Sequence, residues 1–346
     1  MTTVNIRASG GEYPVVVGGA LADLARYTGK ARLCIVSDTT VVGLYRRGFP
    51  EAAAVVAIET GEKNKNLATV ADLYERFLEL QIDRSWYVVG VGGGVVCDVA
   101  GFAAATFRRG IPCGFVATTL LAQADAAVGG KNGVNLQRYK NMVGTIRQPR
   151  FVLCDLEALT TLPPRELSNG FAEIIKHGAI ASPGLCELLE AQSERLLKLE
   201  KEPLQKALAE SISIKAGVVE RDEHESGERK KLNFGHTFAH ALENRLGISH
   251  GEAVSIGMAM AARLSVKLGR LDAAAADRLI ALLEKFKLPV TCELSGAEML
   301  APIRLDKKRR GAELDLVLLD GLGRAVIVPT PIELVEEMLH DLHCSR

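Results

Sequence analysis

An apolar run that ends in three glycines and continues into a helix is the feature that most limits the fold. Residues 86–91 read WYVVGV, a pattern typical of a strand that is buried on both faces. Glycines occupy positions 92–94, and residues 95–105 have the pattern of a helix. The order strand, glycine turn, helix predicts part of a parallel α/β sheet. It also allows backbone N–H groups at a helix N-terminus to approach a phosphate closely.

The glycine turn alone does not decide whether a ligand binds there. Its spacing departs from the usual dinucleotide fingerprint, because Val95 stands where the third glycine is expected. A tight strand–helix turn without a ligand explains the glycines equally well. Thr118 and Thr119 follow the next apolar run and would lie at the same edge of the sheet, where ligands of open α/β sheets bind. Asp98, one turn into the helix, either faces that edge or only complements the helix dipole.

Short apolar runs alternate with amphipathic stretches throughout the first half of the chain. The pattern predicts a helix at residues 69–81 and strands at residues 15–17, 32–36, 54–58 and 113–117. Beyond Pro163 and Pro164 the pattern is almost wholly helical as far as residue 288, and two late apolar runs, 314–319 and 325–328, predict a hairpin. We therefore predict an N-terminal α/β domain, residues 1–164, and a helical C-terminal domain, residues 165–346.

The charge balance argues against bulk attraction to a polyanion. Lysine plus arginine and aspartate plus glutamate each number 42, so neither nucleic acid nor an anionic membrane is expected as a partner. The seven cysteines form no CxxC pair, which favours reduced thiols in a cytoplasm over a disulfide framework. The N-terminal residues do not resemble a signal peptide, and no apolar run approaches the roughly 20 residues that span a bilayer. We expect a cytoplasmic protein.

Histidines cluster in the segment NFGHTFAHALENRLGISHGE, which holds His236, His240 and His250. His236 and His240 are one helical turn apart on one face, and a short loop can return His250 beside His236. A catalytic divalent ion takes about three protein ligands, so two histidines and one carboxylate would suffice. The HExxH motif of zinc proteases is absent. Glu173 and His177 share a helical face and can also chelate, and histidines that only pack between helices remain an alternative.

Lysines and arginines recur inside apolar or glycine-rich segments, where a solvated surface is a poor explanation. Together they could surround a small anion that carries phosphate and carboxylate groups. Taken singly, each is more often an ordinary surface residue. The set, with its neighbouring asparagines, comprises Lys131, Asn135, Lys140, Asn141, Lys176, Lys215, Arg229, Lys307 and Lys308.

These motifs coincide with those of one enzyme family. The specific stretches are GGGVVCDVAGFAAATFRRG, TTLLAQADAAVGGKNGVN, KNMVG, LPPRELSNGFAEIIKHG, and KLNFGHTFAHALE followed by HGEAVSIGM. The chain resembles the 3-dehydroquinate synthases over nearly its whole length, from SDTTVVGLY to DKKRRGAELDLVLL. The resemblance implies an NAD-binding α/β domain with a mainly parallel, Rossmann-like sheet and an all-α C-terminal domain that holds zinc, with cobalt as a plausible substitute. It also implies that the active site lies in the cleft between the domains.

The resemblance assigns roles to individual residues. It makes Glu173, His236 and His250 the metal ligands and moves His240 to the substrate. Contacts to the phosphate end are implied for Lys131, Asn141, Asn233, His240 and one lysine of the pair at 307 and 308, taken here as Lys307. A carboxylate clamp is implied for Lys215 and Arg229, and contacts near the substrate hydroxyls for Asp125 and Lys176.

Two further sets follow from the same resemblance. Arg109 resembles a residue that reaches into the neighbouring subunit's site, which implies a homodimer. The positions that match NAD contacts are Asp38, Glu62, Lys65, Gly93, Gly94, Asp98, Thr118, Thr119, Lys131, Lys140, Thr161 and Leu162.

The implied reaction converts 3-deoxy-D-arabino-heptulosonate 7-phosphate, a phosphorylated sugar acid, to 3-dehydroquinate and phosphate in the shikimate pathway. NAD oxidises the C5 hydroxyl, which the metal polarises, and phosphate leaves by β-elimination. The same NADH reduces the ketone, and ring opening with an intramolecular aldol step closes the carbocycle. The alternatives are a related sugar-phosphate cyclase such as an amino-dehydroquinate synthase, a metal-dependent polyol dehydrogenase, or an inactive dinucleotide-binding regulator.

Some positions depart from the common family pattern. Asn132 follows Lys131 where threonine is usual, alanines occupy positions 126 and 127 where serines are frequent, and Tyr139 replaces a common glycine. The loop at residues 247–249 looks shorter than in many members. None of these changes removes a charged contact, so we expect altered local packing and unchanged chemistry.

Overall fold

The computed structural model describes residues 1–51, 53–137, 139–294, 298–299, 309–310 and 313–344. By their internal contacts these residues form two units. The first consists of Met1–Leu167 and Leu204–His224, and the second of Ser168–Pro203 and Glu225–Arg346. The segment Leu204–His224 thus belongs to the first unit, although it lies beyond the predicted boundary at residue 164.

The first unit alternates strands and helices. Its strands are β1 (Thr2–Ala8), β2 (Gly11–Val17), β3 (Leu33–Asp38), β4 (Ala54–Ile58), β5 (Tyr87–Gly92), β6 (Cys113–Ala117), β7 (Lys131–Leu136), β8 (Tyr139–Ile146) and β9 (Val152–Cys154). Its helices are α1 (Leu24–Thr28), α2 (Thr39–Tyr45), α3 (Leu67–Glu79), α4 (Gly94–Thr106) and most of α7 (Lys201–Arg221).

Seven of these strands form one sheet in the order β1-β2-β9-β6-β5-β3-β4. Among the described strands, β1 pairs antiparallel with β2, and every other pairing in this sheet is parallel. Successive residues of β5 point to opposite faces, so Val88 packs into one apolar cluster and Val89 into another. A parallel sheet needs cover on both faces, which is why β5 is apolar at nearly every position.

The predicted elements of this unit are present. The glycine turn lies between β5 and α4, and the four other predicted strands and the predicted helix correspond to β2, β3, β4, β6 and α3. The Rossmann-like, mainly parallel sheet is confirmed. The pattern missed β1, β7 and β8, where glycine or polar residues interrupt the apolar alternation, and β9, whose three residues are too few to show a period.

The helix α7 is tied to the first unit through the edge strand. The backbone N–H of Arg7 donates to Glu220 Oε1 at 2.8 Å, and that of Ser9 donates to Glu223 Oε2 at 2.9 Å. Gln148 Nε2 also donates to Glu223 Oε1, at 2.8 Å. Carboxylates near the end of α7 and just after it therefore satisfy one backbone amide of β1 and one directly after it, which would otherwise face solvent unpaired.

The second unit is mainly helical. Its helices are α5 (Pro164–Ala181), α6 (Pro183–Leu197), α8 (His236–Leu246), α9 (His250–Lys267), α10 (Ala273–Lys285) and α11 (Ile332–Cys344). It also contains the predicted hairpin, β11 (Glu313–Gly321) and β12 (Arg324–Pro331), which β10 (Arg309–Arg310) extends to three strands. The all-α description therefore omitted a small antiparallel sheet. No helix in the described part of the chain is long and apolar enough to cross a membrane.

The unusual residue Asn132 fills a space that a glycine leaves open. Its side-chain amide donates to the backbone oxygens of Gly130, at 2.8 Å, and Arg147, at 2.9 Å. Opposite, Gly101 lies inside α4, and a Cβ built there would lie 2.0 Å from Asn132 Oδ1. Asn132 thus connects β7 to the segment that follows β8 by hydrogen bonds. This residue changes the local packing and introduces no charge, as expected from the sequence.

A substitution of Gly101 by alanine should therefore destabilise the first unit. The added methyl group must displace Asn132 and break its buried hydrogen bonds, which costs about 1–3 kcal/mol in the free energy of unfolding. Gly43→Ala is the matched control, because a Cβ at this exposed helical position meets nothing within 4 Å. That variant should be neutral or slightly stabilising. Equal urea midpoints for the two variants would contradict the packing of Asn132.

Candidate active site

Three helices of the second unit bring Glu173, His236 and His250 together. Glu173 lies inside α5, and the two histidines are the first residues of α8 and α9. Glu173 Oε1 is 3.2 Å from His250 Nε2 and 3.8 Å from His236 Nε2. One ligand atom from each residue lies within 4.8 Å of the others. Two imidazole nitrogens and one carboxylate oxygen match the donor set of a catalytic zinc site with an open position.

Close backbone contacts hold these helix ends together. Gly235, which adopts a left-handed conformation with φ 79°, precedes His236 and packs against α9, where a Cβ would lie 2.7 Å from Met258 N. In α9, a Cβ at Gly257 would lie 2.1 Å from Gly235 O. Any side chain at these positions would push α8 away from α9, so the glycines allow His236 to approach the other ligands.

The short loop before His250 ends in a well-defined helix start. Gly247 closes α8 with φ 62°, and Ser249 caps α9 in a capping box with Glu252. Ser249 Oγ also donates to Asn169 Oδ1 at 2.6 Å, and a Cβ at Gly251 would lie 2.4 Å from Asn169 Cα. Asn169 is one turn before Glu173 on α5, so this contact sets His250 beside the carboxylate despite the short loop.

The charges of the cluster are suited to binding a cation. Burial alone would raise the pKa of Glu173, but the Lys176 ammonium and the two histidines hold that pKa well below its ordinary value. Burial and Lys176 lower the pKa of His236 well below its ordinary value. Burial would also lower the pKa of His250, but hydrogen bonds with Glu173 and Glu243 raise it to about 9. Glu173 is therefore ionised, and His236 is neutral with a lone pair available.

Hydrogen bonds at Nδ1 aim both imidazole rings. His236 Nδ1 lies 3.2 Å from the backbone oxygen of Phe234, and His250 Nδ1 lies 2.9 Å from Glu243 Oε1. Because each acceptor favours a proton on Nδ1, Nε2 of each ring is the nitrogen left to bind a metal ion. In the absence of a metal, the raised pKa of His250 means that its Nε2 also carries a proton, which it donates to Glu173. Sequence reasoning missed Glu243. A carboxylate seven residues after His236, directly after the apolar pair Ala241 and Leu242, was the signal that could have revealed it.

Of the two neighbouring histidines, His177 also offers a ligand atom within 4.8 Å of a carboxylate oxygen of Glu173, whereas His240 does not join the group. His240 is exposed on α8, with its ring centre 5.9 Å from that of His236. His177 is buried inside α5, four residues before the helix end. Two other predicted residues of this unit precede α8 in the same short helical turn, Glu228–Asn233. Arg229 is buried there, and Asn233 Nδ2 donates to Glu225 Oε1 at 2.6 Å.

In the first unit, predicted cofactor residues lie at the carboxyl edge of the sheet. The chain leaves β3 in one direction toward β4 and returns on the other side as β5, which makes a switch point between β3 and β5. Asp38 ends β3 and accepts a hydrogen bond from Val41 N at 2.9 Å, capping α2. Across the switch point, Gly93 is the N-cap of α4, and no described side chain caps that end.

The glycines at this turn keep the backbone open. A Cβ at Gly92 would lie 2.6 Å from Val96 Cγ2, and one at Gly93 would lie 3.0 Å from Thr119 Cγ2. Thr118 N donates to Gly92 O at 3.0 Å, which joins the ends of β5 and β6. The result is a helix N-terminus that begins at a glycine, without a side-chain cap, as anion binding by backbone amides requires.

A buried lysine connects predicted cofactor and substrate residues. Lys65 forms an ion pair with Asp98 and donates to Asn141 Oδ1 at 2.7 Å. Asn141 N donates to Asn135 Oδ1 at 2.9 Å, and Asn135 Nδ2 donates to Glu62 Oε1 at 2.8 Å. Burial raises the pKa of Asp98, although Lys65 opposes this shift. Asn135 is therefore a linking residue between β7 and β8.

A second buried ion pair joins Lys215 of α7 to Asp125. Lys215 Nζ donates to the carboxylate of Asp125 at 2.5 Å and to its backbone oxygen at 2.6 Å. Asp125 lies in a π-helical turn, Ala122–Ala126, and the lysine side chain is 6 % exposed. The resemblance implied that Lys215 binds the substrate carboxylate and that Asp125 lies near the substrate hydroxyls. In the structure, the two side chains bind each other.

The remaining predicted residues lie at the surface or outside the description. Lys131 begins β7 and Lys140 lies in β8, and both are exposed. Thr161 directly precedes Leu162, and its Oγ1 is 2.7 Å from Tyr45 OH. Arg109 is exposed in a tight turn with φ 62°. Lys307 lies outside the described residues.

A parallel sheet with a glycine turn at its switch point, and a Glu-His-His group on helices, are together typical of enzymes that use a dinucleotide and a divalent metal. Comparison with known proteins supports a definite family. Residues 55–169 match the family model of the 3-dehydroquinate synthase N-terminal domain, and residues 170–309 match that of the C-terminal domain. The chain belongs to the 3-dehydroquinate synthase family.

Individual relatives agree with this assignment. A 3-dehydroquinate synthase from Halorhodospira halophila is 46% identical over 325 residues, which cover 91% of this chain and 92% of the relative. A solved 2-epi-5-epi-valiolone synthase from Streptomyces hygroscopicus subsp. jinggangensis 5008, with NAD⁺ and Zn²⁺ bound, is 29% identical with a TM-score of 0.89, covering 96% and 97% of the chains. A 2-deoxy-scyllo-inosose synthase with carbaglucose-6-phosphate, NAD⁺ and Co²⁺ is 27% identical with a TM-score of 0.84, covering 98% and 100%.

The ion pair between Glu173 and Lys176 predicts that, in the metal-free protein, removing one charge destabilises the fold more than removing both. Both side chains are almost wholly buried. Glu173→Leu should lower the free energy of unfolding by about 3–5 kcal/mol, because it leaves the Lys176 charge buried beside two histidines. The double variant Glu173→Leu, Lys176→Met should recover most of that loss. Urea unfolding with a chelator present measures both, and equal stabilities would show that the two charges are not coupled.

Proposed function

We propose that this chain is a 3-dehydroquinate synthase, which converts 3-deoxy-D-arabino-heptulosonate 7-phosphate to 3-dehydroquinate and phosphate. The single observation that carries the proposal is the group of Glu173, His236 and His250, whose ligand atoms lie within 4.8 Å of one another. Membership of the family and the 46% identical synthase support the choice of substrate.

The Glu-His-His group would hold the metal ion. An ionised carboxylate and a neutral imidazole with a free lone pair are the donors that zinc prefers, and cobalt accepts the same set. The related cyclase structures contain Zn²⁺ and Co²⁺ together with NAD⁺. When bound, the metal supplies Lewis-acid polarisation of a hydroxyl, and NAD supplies a reversible hydride acceptor.

The carboxyl edge of the sheet would hold NAD. The amides that begin α4 suit a pyrophosphate, and Thr118 and Thr119 add hydroxyls at the same edge. The acidic residues Asp38 and Glu62 are suited to ribose hydroxyls. The full set of proposed cofactor residues is Asp38, Glu62, Lys65, Gly93, Gly94, Asp98, Thr118, Thr119, Lys131, Lys140, Thr161 and Leu162.

Fixed cations would orient the phosphorylated sugar acid. We assign the substrate carboxylate to Lys215 and Arg229, which are both buried and therefore already desolvated. Asp125 and Lys176 would bind the hydroxyls, and the ion pair of Asp125 with Lys215 keeps each group in place before substrate arrives. The residues proposed for the phosphate end are Lys131, Asn141, Asn233, His240 and Lys307.

A related sugar-phosphate cyclase is the second candidate, because the solved structures above belong to such enzymes. The two buried cations proposed for the carboxylate, Lys215 and Arg229, favour an acid substrate over a neutral sugar phosphate. An amino-dehydroquinate synthase would keep both anionic groups of its substrate. A polyol dehydrogenase would release NADH and would have no need of the cation pair.

The purified chain should release phosphate from the heptulosonate phosphate with only a catalytic amount of NAD. A chelator should abolish the activity, and zinc or cobalt should restore it, because the ion is regained at a preformed donor set. Phosphate release and 3-dehydroquinate are both measured. Glucose 6-phosphate is the matched control, since it carries phosphate without the carboxylate and should not react. Stoichiometric NADH from a simple polyol, without phosphate release, would contradict the proposal.

We also propose a homodimer in the cytoplasm, with Arg109 acting in the partner's site. The supporting observation is the turn at Arg108, Arg109 and Gly110, where three consecutive residues have φ values of 49°, 62° and 114°. Two non-glycine residues held in this strained region carry an exposed arginine outward, which favours a role beyond the chain's own packing.

Subunit complementation tests the position of Arg109. Arg109→Ala and His236→Ala should each lose at least about 100-fold in activity, in line with the loss of a transition-state contact or a metal ligand. Coexpressed with different tags and isolated as a mixed dimer, the two chains should recover up to half of the wild-type activity. In that dimer one site contains intact His236 and the partner's intact Arg109. No recovery in isolated mixed dimers would show that Arg109 serves its own chain.

A further inference from the structure

Glu243 is a buried carboxylate with a specific contact to a proposed metal ligand. It lies on α8, seven residues after His236, and its side chain is 2 % exposed. Its neighbours Ala241 and Leu242 are also buried. Glu243 Oε1 lies 2.9 Å from His250 Nδ1, while His250 Nε2 faces Glu173 at 3.2 Å. A carboxylate is rarely buried this deeply unless it satisfies a polar or charged group.

The contact decides which nitrogen of His250 is available. A neutral imidazole carries one proton, and only the other nitrogen has a lone pair for a metal. Glu243 accepts a hydrogen bond from Nδ1–H, so Nε2, which faces Glu173, is the nitrogen that can give up its proton and bind a metal ion. His236 has an equivalent acceptor, the backbone oxygen of Phe234, at 3.2 Å from its Nδ1. The two histidines thus use one principle with different acceptors.

His250 depends on its acceptor more than His236 does. His236 is 12 % exposed and follows a glycine that fixes α8 against α9, whereas the His250 side chain is 32 % exposed and begins its helix after a short loop. Packing alone leaves the His250 ring freedom to turn about its side-chain bonds. The hydrogen bond that His250 Nδ1 donates to Glu243 connects the ring to the side of α8 and restricts that rotation.

We propose that Glu243 is a positioning residue that fixes the tautomer and orientation of His250 for binding a divalent metal ion. The inference rests on the metal site of the proposed function. It assigns Glu243 no contact with substrate or cofactor. Its effect therefore belongs to metal affinity and coordination geometry, and it does not require the enzyme to turn over.

Metal titration of the chelator-stripped protein tests the proposal. Zinc affinity is measured by competition with a chromophoric chelator for the wild type, Glu243→Gln and Glu243→Leu. We expect zinc affinity to fall by about 100-fold in the leucine variant. In the glutamine variant, which keeps a weaker acceptor, we expect a loss of about 10-fold. The visible spectrum of the Co²⁺ form should change in the leucine variant, because a rotated ring alters the ligand geometry.

Glu190→Gln is the matched control. Glu190 belongs to the same unit and forms two hydrogen bonds with Arg278, both 2.7 Å long, without touching a proposed ligand. It should keep wild-type zinc affinity even if its thermal stability falls. If the leucine variant does not fold, the glutamine variant decides, and its wild-type zinc affinity would overturn the inference. A wild-type protein without zinc affinity would contradict the metal site itself, whereas wild-type affinity in both variants contradicts only the role of Glu243.

Discussion

Contacts between helix backbones, made at glycine, are the constraint on which the metal site depends. His236 and His250 are each the first residue of a helix, and Gly235, Gly251 and Gly257 let those helices approach their neighbours closely. The backbone at a helix end has a fixed direction. The position of a helix end therefore sets the direction of the Cα–Cβ bond of a ligand placed there. Side chains longer than hydrogen at these glycines would separate the helices and, with them, the ligand atoms.

The sheet was predictable from the sequence, whereas the choice among metal ligands was not. Apolar runs and turn glycines are local signals, so β3 to β6 and the turn before α4 could be located from the pattern. Helical spacing places His236 and His240 on one face, and it cannot say which of them points inward. The family resemblance favoured His250 over His240, and the described structure has His240 exposed and His250 beside Glu173.

Contacts between distant residues account for what sequence reasoning missed. The hydrogen-bonded chain of Glu62, Asn135, Asn141 and Lys65 joins two strands to the loop between β4 and α3, and no spacing rule relates the loop to those strands. Glu243 reads as an ordinary helix residue until the fold brings the start of α9 beside it. Asn132 is similar, because the space it fills is defined by Gly101, more than 30 residues earlier. The roles of such residues can be recognised only when both partners of the contact are known.

The return of α7 to the first unit limits how this chain can be divided. A piece that ends at the predicted boundary would lose Glu220 and Glu223, and the amides of β1 would become an open edge for pairing with other chains. It would also leave Asp125 without its lysine. The first unit is therefore not a module that gene fusion or recombination can transfer as one continuous segment. A derivative that keeps the acceptors of these two amides must also carry α7, which follows α5 and α6 in the chain.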